Sequence, residues 1–350
     1  MHYSLANGGV NVVTIKDVAQ MAEVSTATVS HVINDTRFVS DELRERVLEA
    51  MEALSYRPNA LAQGLRVGET HTIGLVVPDN ANPFFAEISR VVEDVGFENG
   101  YSVILCNTGD DLVRERAYID VLVAKQVDGI IFIAAGDHHE HLTELTSHRV
   151  PLVLADRDVG QSAADLVLVN NEQGGYEATR HLLDLGHRRI GCVTGPSEAT
   201  PSADRVSGYG RALREAGVCR DEDLIEPGDF RYQGGERAAA RLLGLQQPPS
   251  AMFVCNDLMA IGALRAIRTA GLRVPDDISV VGYDDIPLAS AMSPALTTVA
   301  QPVEDLATIC TELLLSRIEE GVNGAPKRVV LDTKLIVRDS CAPAPVREGS

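Results

Sequence analysis

From residue 70 onward, short apolar runs alternate with amphipathic segments, and this alternation restricts the fold more than any other feature of the chain. The runs are "TIGLVV", "SVILCN", "GIIFIAA", "PLVLAD", "DLVLVN", "RIGCVTG", "AMFVCN", "ISVVGYDD", "LTTVAQ" and "RVVLDTKLIV". Runs this rich in Val, Ile and Leu suit strands buried on both faces, and helix-spaced apolar positions between them give the pattern of βα units on a parallel sheet. Helices are expected over 84–98, 172–185, 205–216, 233–243, 258–270 and 303–320. Ten runs are too many for one ordinary sheet, so two doubly wound α/β lobes are expected.

The first 70 residues follow a different period. Apolar residues recur at helical spacing in three short segments: Ile15, Val18, Ala19 and Ala22; Val29, Val32 and Ile33; Leu43, Val47, Leu48, Met51 and Leu54. Three small helices with no strand between them follow. The stretch "TIKDVAQMAEVSTATVSHVIN" reads as a helix over 15–22, a tight turn through Glu23 and Val24, and a second helix capped by Ser25, whose hydroxyl can accept an orphan amide N–H. Val24, Val29 and Val32 or Ile33 then face the first helix, while Thr26, Ala27, Ser30 and His31 face away. A small polar face of this kind suits either solvent or base edges in a major groove, and the residues alone leave both open. Between head and lobes, "YRPNALAQGLRVGET" has Pro58 placed to open a short helix and Gly64 and Gly68 to weaken its end. Such a segment is marginal alone and should order only when something supplies contacts.

Composition removes several classes. With 31 Lys and Arg against 50 Asp and Glu, the net charge of −19 argues against coating nucleic acid or acidic membrane with the whole surface, and leaves room for a local DNA-reading patch. The six cysteines are scattered without a Cys-x-x-Cys and mostly lie in apolar runs, so buried free thiols are expected. No run of eighteen apolar residues exists and the first dozen residues lack the features of a signal peptide, which sets the expectation of a cytoplasmic protein. No Gly-x-Ser-x-Gly elbow, His-Glu-x-x-His or phosphate loop occurs, so catalysis is not expected; no cofactor or metal is expected either.

In open α/β sheets ligands bind beyond the carboxyl ends of the strands. Here those ends carry Asp79, Asn80 and Asn82; Asn107; Asp156 and Arg157; Asn170 and Asn171; Asn256 and Asp257; Asp284 and Asp285; and Gln301. Any single Asn or Asp there can simply cap the next helix, and Asp257 before "LMAIGAL" is read that way. Arg157, Arg205 and Gln301 are not explained as caps. With Phe84, Phe85, Phe230 and Tyr283 at loop positions, the set fits a sugar: polar side chains for hydroxyls and ring faces for the apolar side.

The segment "TIKDVAQMAEVSTATVSHVINDTRFVSDELRERVLEAMEALSYRPNALAQGLR" resembles the DNA-binding head of the lactose-repressor family, most closely its purine and ribose repressor branch through "VSTATVSHVIN" and "TRFV". The resemblance runs to about residue 340. It implies an all-α helix-turn-helix head and hinge helix joined to a two-lobed, periplasmic-binding-protein-like core of two doubly wound parallel sheets. The divisions expected are a head over 1–57, hinge helix and linker over 58–71, one lobe over 72–158 and 301–325, the other over 159–300 and 326–341, and a disordered tail over 342–350.

By position the resemblance implies base-edge contacts from Thr26, Ala27, His31 and Arg37, and backbone positioning by Lys16, Asn34 and Tyr56. Leu65 falls where the family inserts a leucine into the central base step, with Arg66 after it, so an easily deformed central CG step is expected. One departure is that residues 1–68 hold six Lys or Arg and eight Asp or Glu, so the head is not basic overall. Paired heads in a homodimer on a palindromic operator are the minimum implied, a tetramer staying open. In the core, "NPFF", "LCNT", "TGPSEATPSADRVSGY", "GDF", "VVGYDDIPLAS" and "LTTVAQP" match the ribose side of the branch. The implied sugar contacts are Asn82, Phe84, Phe85, Asp156, Arg157, Arg205, Phe230, Asn256, Asp284 and Gln301. The purine side has an arginine where this chain has Ala199, so ribose is the implied effector and inducer, with another pentose, a purine, or a transport receptor of the same core as alternatives.

Overall fold

The computed structural model describes residues 13–57, 69–134, 150–158, 164–196, 199–321 and 324–345. The chain divides into two compact units, residues 1–70 and 71–350.

The first unit contains α1 (Ile15–Met21), α2 (Thr26–Asn34) and α3 (Asp41–Ala53). Asp17 starts α1 by accepting hydrogen bonds from the amide and hydroxyl of Thr14, both at 2.7 Å. Ser25 caps α2 as the sequence requires: its Oγ accepts the Thr28 N–H at 3.0 Å. Between them the chain reverses through Glu23 in the left-handed region at φ 53°. Val18, Ala19 and Ala22 of α1 and its end, Val29 and Val32 of α2, and Val47 and Ala50 of α3 form one small core.

The second unit is built on two six-stranded sheets. The chain runs β1 (Thr72–Val77), α4 (Pro83–Glu98), β2 (Ser102–Asn107), α5 (Leu112–Ala124), β3 (Gly129–Phe132), β4 (Leu152–Ala155) and β5 (Asp165–Val169). It continues α6 (Asn171–Asp184), β6 (Ile190–Thr194), α7 (Thr200–Glu215), β7 (Ile225–Pro227), α8 (Tyr232–Leu243), β8 (Ala251–Val254), α9 (Asp257–Thr269) and β9 (Ser279–Asp284). Last come α10 (Pro287–Ala291), β10 (Thr297–Ala300), α11 (Val303–Glu320), β11 (Arg328–Leu331) and β12 (Lys334–Ile336). The first sheet has the order β11-β5-β4-β3-β1-β2, all parallel; the second is β12-β10-β9-β8-β6-β7, parallel except for β12, which pairs antiparallel with β10. Each sheet is covered on both faces by helices, which is why its central strands are apolar without interruption.

Three of the expectations need correction. The boundary placed at residue 159 falls later: β5 pairs with β4 through Val153↔Asp165, so residues 165–169 belong to the first lobe. The run "RVVLDTKLIV" is two strands in two sheets, because β11 pairs with β5 and β12 with β10. The chain therefore crosses between lobes after Val169, after Ala300 and after Leu331. The tail also begins later than residue 342. Ala344 N–H donates to Leu185 O at 2.8 Å and His187 Nε2 donates to Ala342 O at 3.1 Å, so residues 341–344 are docked on the second lobe. Of the cysteines, Cys106, Cys192, Cys255 and Cys310 are buried free thiols, Cys341 is half-buried, and Cys219 is exposed. Among the described residues no helix is long and apolar enough to cross a membrane.

Candidate functional site

In the head, α2 presents Thr26 and Ala27 to the exterior, while Ser30 and His31 are half-buried at the same face. His31 Nδ1 lies 2.8 Å from Thr36 Oγ1, a contact that holds the ring beside the loop carrying the exposed Arg37. Asn34 turns back on its own helix and donates to Ser30 O at 2.7 Å. Tyr56 packs against the head core, and Lys16 is exposed on α1. The third helix keeps its cations for internal use: Arg44 pairs with Asp35, and Arg46 donates to Ala22 O at 2.6 Å and lies 3.5 Å from Glu23. Lys16, Arg37 and Arg57 are the described cations of the head left outside ion pairs. The expected wedge, Leu65 with Arg66, lies outside the described residues.

In the core, one half-open cleft with a cavity volume of about 20 Å³ lies between the lobes. Its lining is Asn82, Phe84, Phe85, Asp156, Arg157, Arg205, Phe230, Asn256, Asp284 and Gln301, with Pro201 added. All ten sugar-contact candidates thus converge on one space. Asn82, Phe84 and Phe85 come from the start of α4 and Asp156 and Arg157 from the end of β4, all in the first lobe. Arg205 comes from α7, Phe230 from the loop before α8, Asn256 from the start of α9 and Asp284 from the end of β9, all in the second. Gln301 stands on the crossover between them.

Two of these residues also cap helices. Asn82 Oδ1 accepts the Phe84 N–H at 3.1 Å, and Asn256 Oδ1 accepts the Met259 N–H at 2.9 Å while its Nδ2 donates to Phe230 O at 3.0 Å. The cap of α9 is therefore Asn256 and not Asp257. Asp257 is buried inside, accepting from Ile286 N–H at 3.0 Å and Thr298 Oγ1 at 2.7 Å, which ties α9 to the far ends of β9 and β10.

The charged groups form two sets, one around Asp284 and one around Asp156. Arg205 Nε donates to Asn171 Oδ1 at 2.8 Å, its Nη1 donates to Cys255 O at 2.5 Å and lies 3.7 Å from Asp284 Oδ1. Asp284 accepts from Gln301 Nε2 at 2.7 Å. Arg157 donates to Ala134 O at 2.5 Å and lies 3.8 Å from Asp156. Burial pushes the Asp284 carboxyl up to about 7, although Arg205 and Gln301 pull the other way, and burial also raises Asp156. Three cavity residues stand in the left-handed region, Asp156 at φ 64°, Phe230 at 60° and Asp284 at 110°, a strain that aims their side chains inward from the strand ends. Phe230 in turn lies against Gly195, where a Cβ would sit 2.2 Å from the ring.

Asp156 Oδ1, Arg157 Nε and Gln301 Oε1 are buried without a hydrogen-bond partner. Unpaired acceptors and donors at one cavity wall, with the phenyl rings of Phe84 and Phe230 at another, are the complement of a small ligand that has hydroxyl groups and an apolar face. Tyr283, expected at the cavity by its loop position, does not line it: the side chain is fully buried and its ring lies under the Arg205 guanidinium at 3.7 Å. Pro201 was missed because an apolar residue in "TPSADR" carries no chemical signal, and Asn171 because it acts one layer behind the cavity.

A helix-turn-helix head on a two-lobed α/β core with a small polar cavity between the lobes defines a ligand-responsive DNA-binding regulator. Residues 14–59 match the model of bacterial regulatory proteins of the lacI family, and residues 179–341 match a periplasmic binding protein-like domain. The chain is 42% identical over 308 residues to the HTH-type transcriptional repressor PurR of Aliivibrio salmonicida, covering 88% of this chain and 92% of that one. It is likewise 42% identical over 327 residues to the ribose operon repressor of Haemophilus influenzae, covering 93% and 98%. Among solved structures it is similar to the Lac repressor dimer bound to operator and the anti-inducer ONPF (TM-score 0.84, 30% identity, 94% and 99% covered). It is also similar to a LacI family regulator from Enterococcus faecium with bound ribose (TM-score 0.73, 32% identity, 78% and 100% covered). The protein belongs to the lacI family: it is a DNA-binding transcriptional repressor whose core takes a small-molecule effector.

Proposed function

We propose that this protein represses transcription as a homodimer on a palindromic operator in the cytoplasm and that ribose is its inducer. The observation that carries the effector is the cleft: ten residues from both lobes and the crossover line one space, with three buried polar atoms left to be satisfied. In this reading Phe84 and Phe230 sandwich the pyranose, Asp156 and Asp284 accept from its hydroxyls, Arg157 and Arg205 donate, and Asn82, Asn256 and Gln301 complete the set. A sugar lacking one hydroxyl leaves a buried group unpaired, at a cost of about 1–3 kcal/mol. Purine-regulated relatives of equal identity make a purine the second reading. Against it stands Ala199, a small residue where the purine side of the branch has an arginine.

On the DNA side, paired α2 helices present Thr26, Ala27 and His31 to base edges with Arg37, while Lys16, Asn34 and Tyr56 set the register. Leu65 enters a central CG step from the minor groove, with Arg66 beside it. Sugar bridging the lobes changes their relation and thereby the hinge, so the effector binds the two states unequally, as any switch requires. A mobility-shift titration on a palindromic operator, with D-ribose, D-xylose and hypoxanthine in parallel, tests the scheme: ribose alone should release DNA. Release by hypoxanthine, or tighter binding with it, would replace the effector. Leu65→Ala should weaken operator binding about tenfold or more and leave sugar binding unchanged; equal operator affinity would remove the wedge.

A further inference from the structure

Arg205 is the cation nearest Asp284 in the cavity, and its side chain is fixed from three directions. Asn171, the first residue of α6 after the chain crosses from the first lobe, accepts from Nε at 2.8 Å while its own Nδ2 donates to Val169 O at 3.2 Å, the last residue of β5. The Tyr283 ring centroid lies 3.7 Å from Cζ, and Cys255 O takes Nη1. Two adjacent glycines make this approach possible. A Cβ on Gly174 would stand 2.4 Å from the Tyr283 hydroxyl oxygen, and one on Gly175 would stand 2.2 Å from Arg205 O. The tyrosine hydroxyl makes no hydrogen bond among the described residues. The ring face is the contact with Arg205 that the geometry shows, although the guanidinium also lies close enough to the phenol to favour its ionised form.

We propose that Asn171 and Tyr283 are positioning residues of the effector site: together they lock the plane of the Arg205 guanidinium to the crossover strand, leaving its Nη2 edge for the effector and its Nη1 edge beside Asp284. This deepens the effector reading given above and rests on it for the identity of the ligand. The charged groups that face Asp284 are Arg205, Asp156 and Asp257, with Asp285 next in the chain and itself paired to Arg338 at 2.7 Å. Only Arg205 among the nearest of these is a cation. A guanidinium released from its clamp leaves Asp284 without its opposing charge, so the carboxyl holds its proton to higher pH.

The test uses the full chain with four variants: Tyr283→Phe, Tyr283→Leu, Asn171→Ala and Asn171→Asp. Two quantities are measured, the Kd for D-ribose by calorimetry and the titration midpoint of Asp284 in ligand-free protein by carboxyl carbon NMR, assigned with Asp284→Asn. Tyr283→Phe should keep both within about twofold and a tenth of a pH unit, because the ring remains. Asn171→Asp keeps the acceptor for Arg205 but loses the donation to Val169 O and adds an anion beside the guanidinium, so it should bind ribose more tightly than Asn171→Ala while its Asp284 midpoint also rises. Tyr283→Leu and Asn171→Ala should weaken ribose binding about tenfold and raise the Asp284 midpoint by about half a unit or more. The proposal is overturned if the Leu and Ala variants, folded by circular dichroism, keep the wild-type midpoint, or if Phe is as damaging as Leu. Should Tyr283→Leu not fold, the Asn171 pair decides alone. A wild-type chain that binds no ribose would reject the effector assignment, while the ligand-free titration would still decide the clamp.

Discussion

Asp284 combines strain, burial and function in one residue. Its φ of 110° and its place at the end of β9 point the carboxylate into the cavity, and burial lifts its pKa to about 7. Because the folded value lies above the unfolded one, the stability held by that proton is complete below the usual carboxylate range and is lost as pH rises through about 7. Effector binding has the opposite slope if the ionised form accepts the sugar hydroxyls. Ribose affinity should therefore rise from pH 6 to pH 8 while the melting temperature of the empty protein falls over the same interval. Asp284→Asn should flatten both profiles, raise the melting temperature at pH 8 by several degrees, and weaken binding by about tenfold or more. A flat wild-type profile in calorimetry would remove the charge from the recognition scheme. Asn82, Asp156, Arg157, Asn256, Asp284 and Gln301 were legible in the sequence because they follow buried strands, whereas Phe84, Phe85, Arg205 and Phe230, which stand on helices or a loop, joined the set through the family resemblance. Tyr283 and Asp257 were misplaced for a single reason: their roles depend on neighbours distant in sequence, Arg205 for one and Ile286 and Thr298 for the other.

Among the elements, periodicity identified the buried strands and the long helices apart from α5 (Leu112–Ala124), and it failed where length or pairing partner decides. β7 spans only Ile225–Pro227, too short for any pattern, and β12 is separated from β11 by Asp332 and Thr333 alone, so one apolar run conceals a change of sheet. The hinge reading stays an expectation because residues 58–68 lie outside those described. The head offers a sharper trial of local chemistry. Its helix-turn-helix reversal puts Glu23 at φ 53°, a region disfavoured by a β-carbon, and its largely exposed side chain makes a 3.5 Å pair with Arg46. Glu23→Gly should stabilise the head by about 0.5–1 kcal/mol and slow hydrogen exchange of the α1 and α2 amides severalfold. Faster exchange would mean that the Arg46 contact outweighs the backbone strain. Removing the cap by Ser25→Ala should move exchange in the opposite direction, by about 1 kcal/mol.

At the scale of the molecule, charge separates the two functions. Residues 69–350 carry 25 Lys and Arg against 42 Asp and Glu, so the net charge of the effector core opposes approach to DNA and contact is expected from the head. Within the head, Arg44 and Arg46 are already committed to Asp35, Ala22 and Glu23, which leaves Lys16, Arg37 and Arg57, together with Arg66 of the hinge segment. In the proposed dimer these are eight cations at most, counting Arg37 although it is proposed at a base edge. The logarithm of operator affinity should then fall with the logarithm of salt concentration with a slope no steeper than about −7. Nonspecific affinity should be low, since the net negative charge of the core opposes it. A filter-binding or anisotropy titration between 50 and about 300 mM salt reads the slope directly. Lys16→Ala should reduce it by about 2 across the dimer with little change in sequence preference, whereas Thr26→Ala should leave the slope and relax the preference at one base pair per half-site. A slope much steeper than the limit would place additional cations of the core on the DNA and overturn the separation of the two functions.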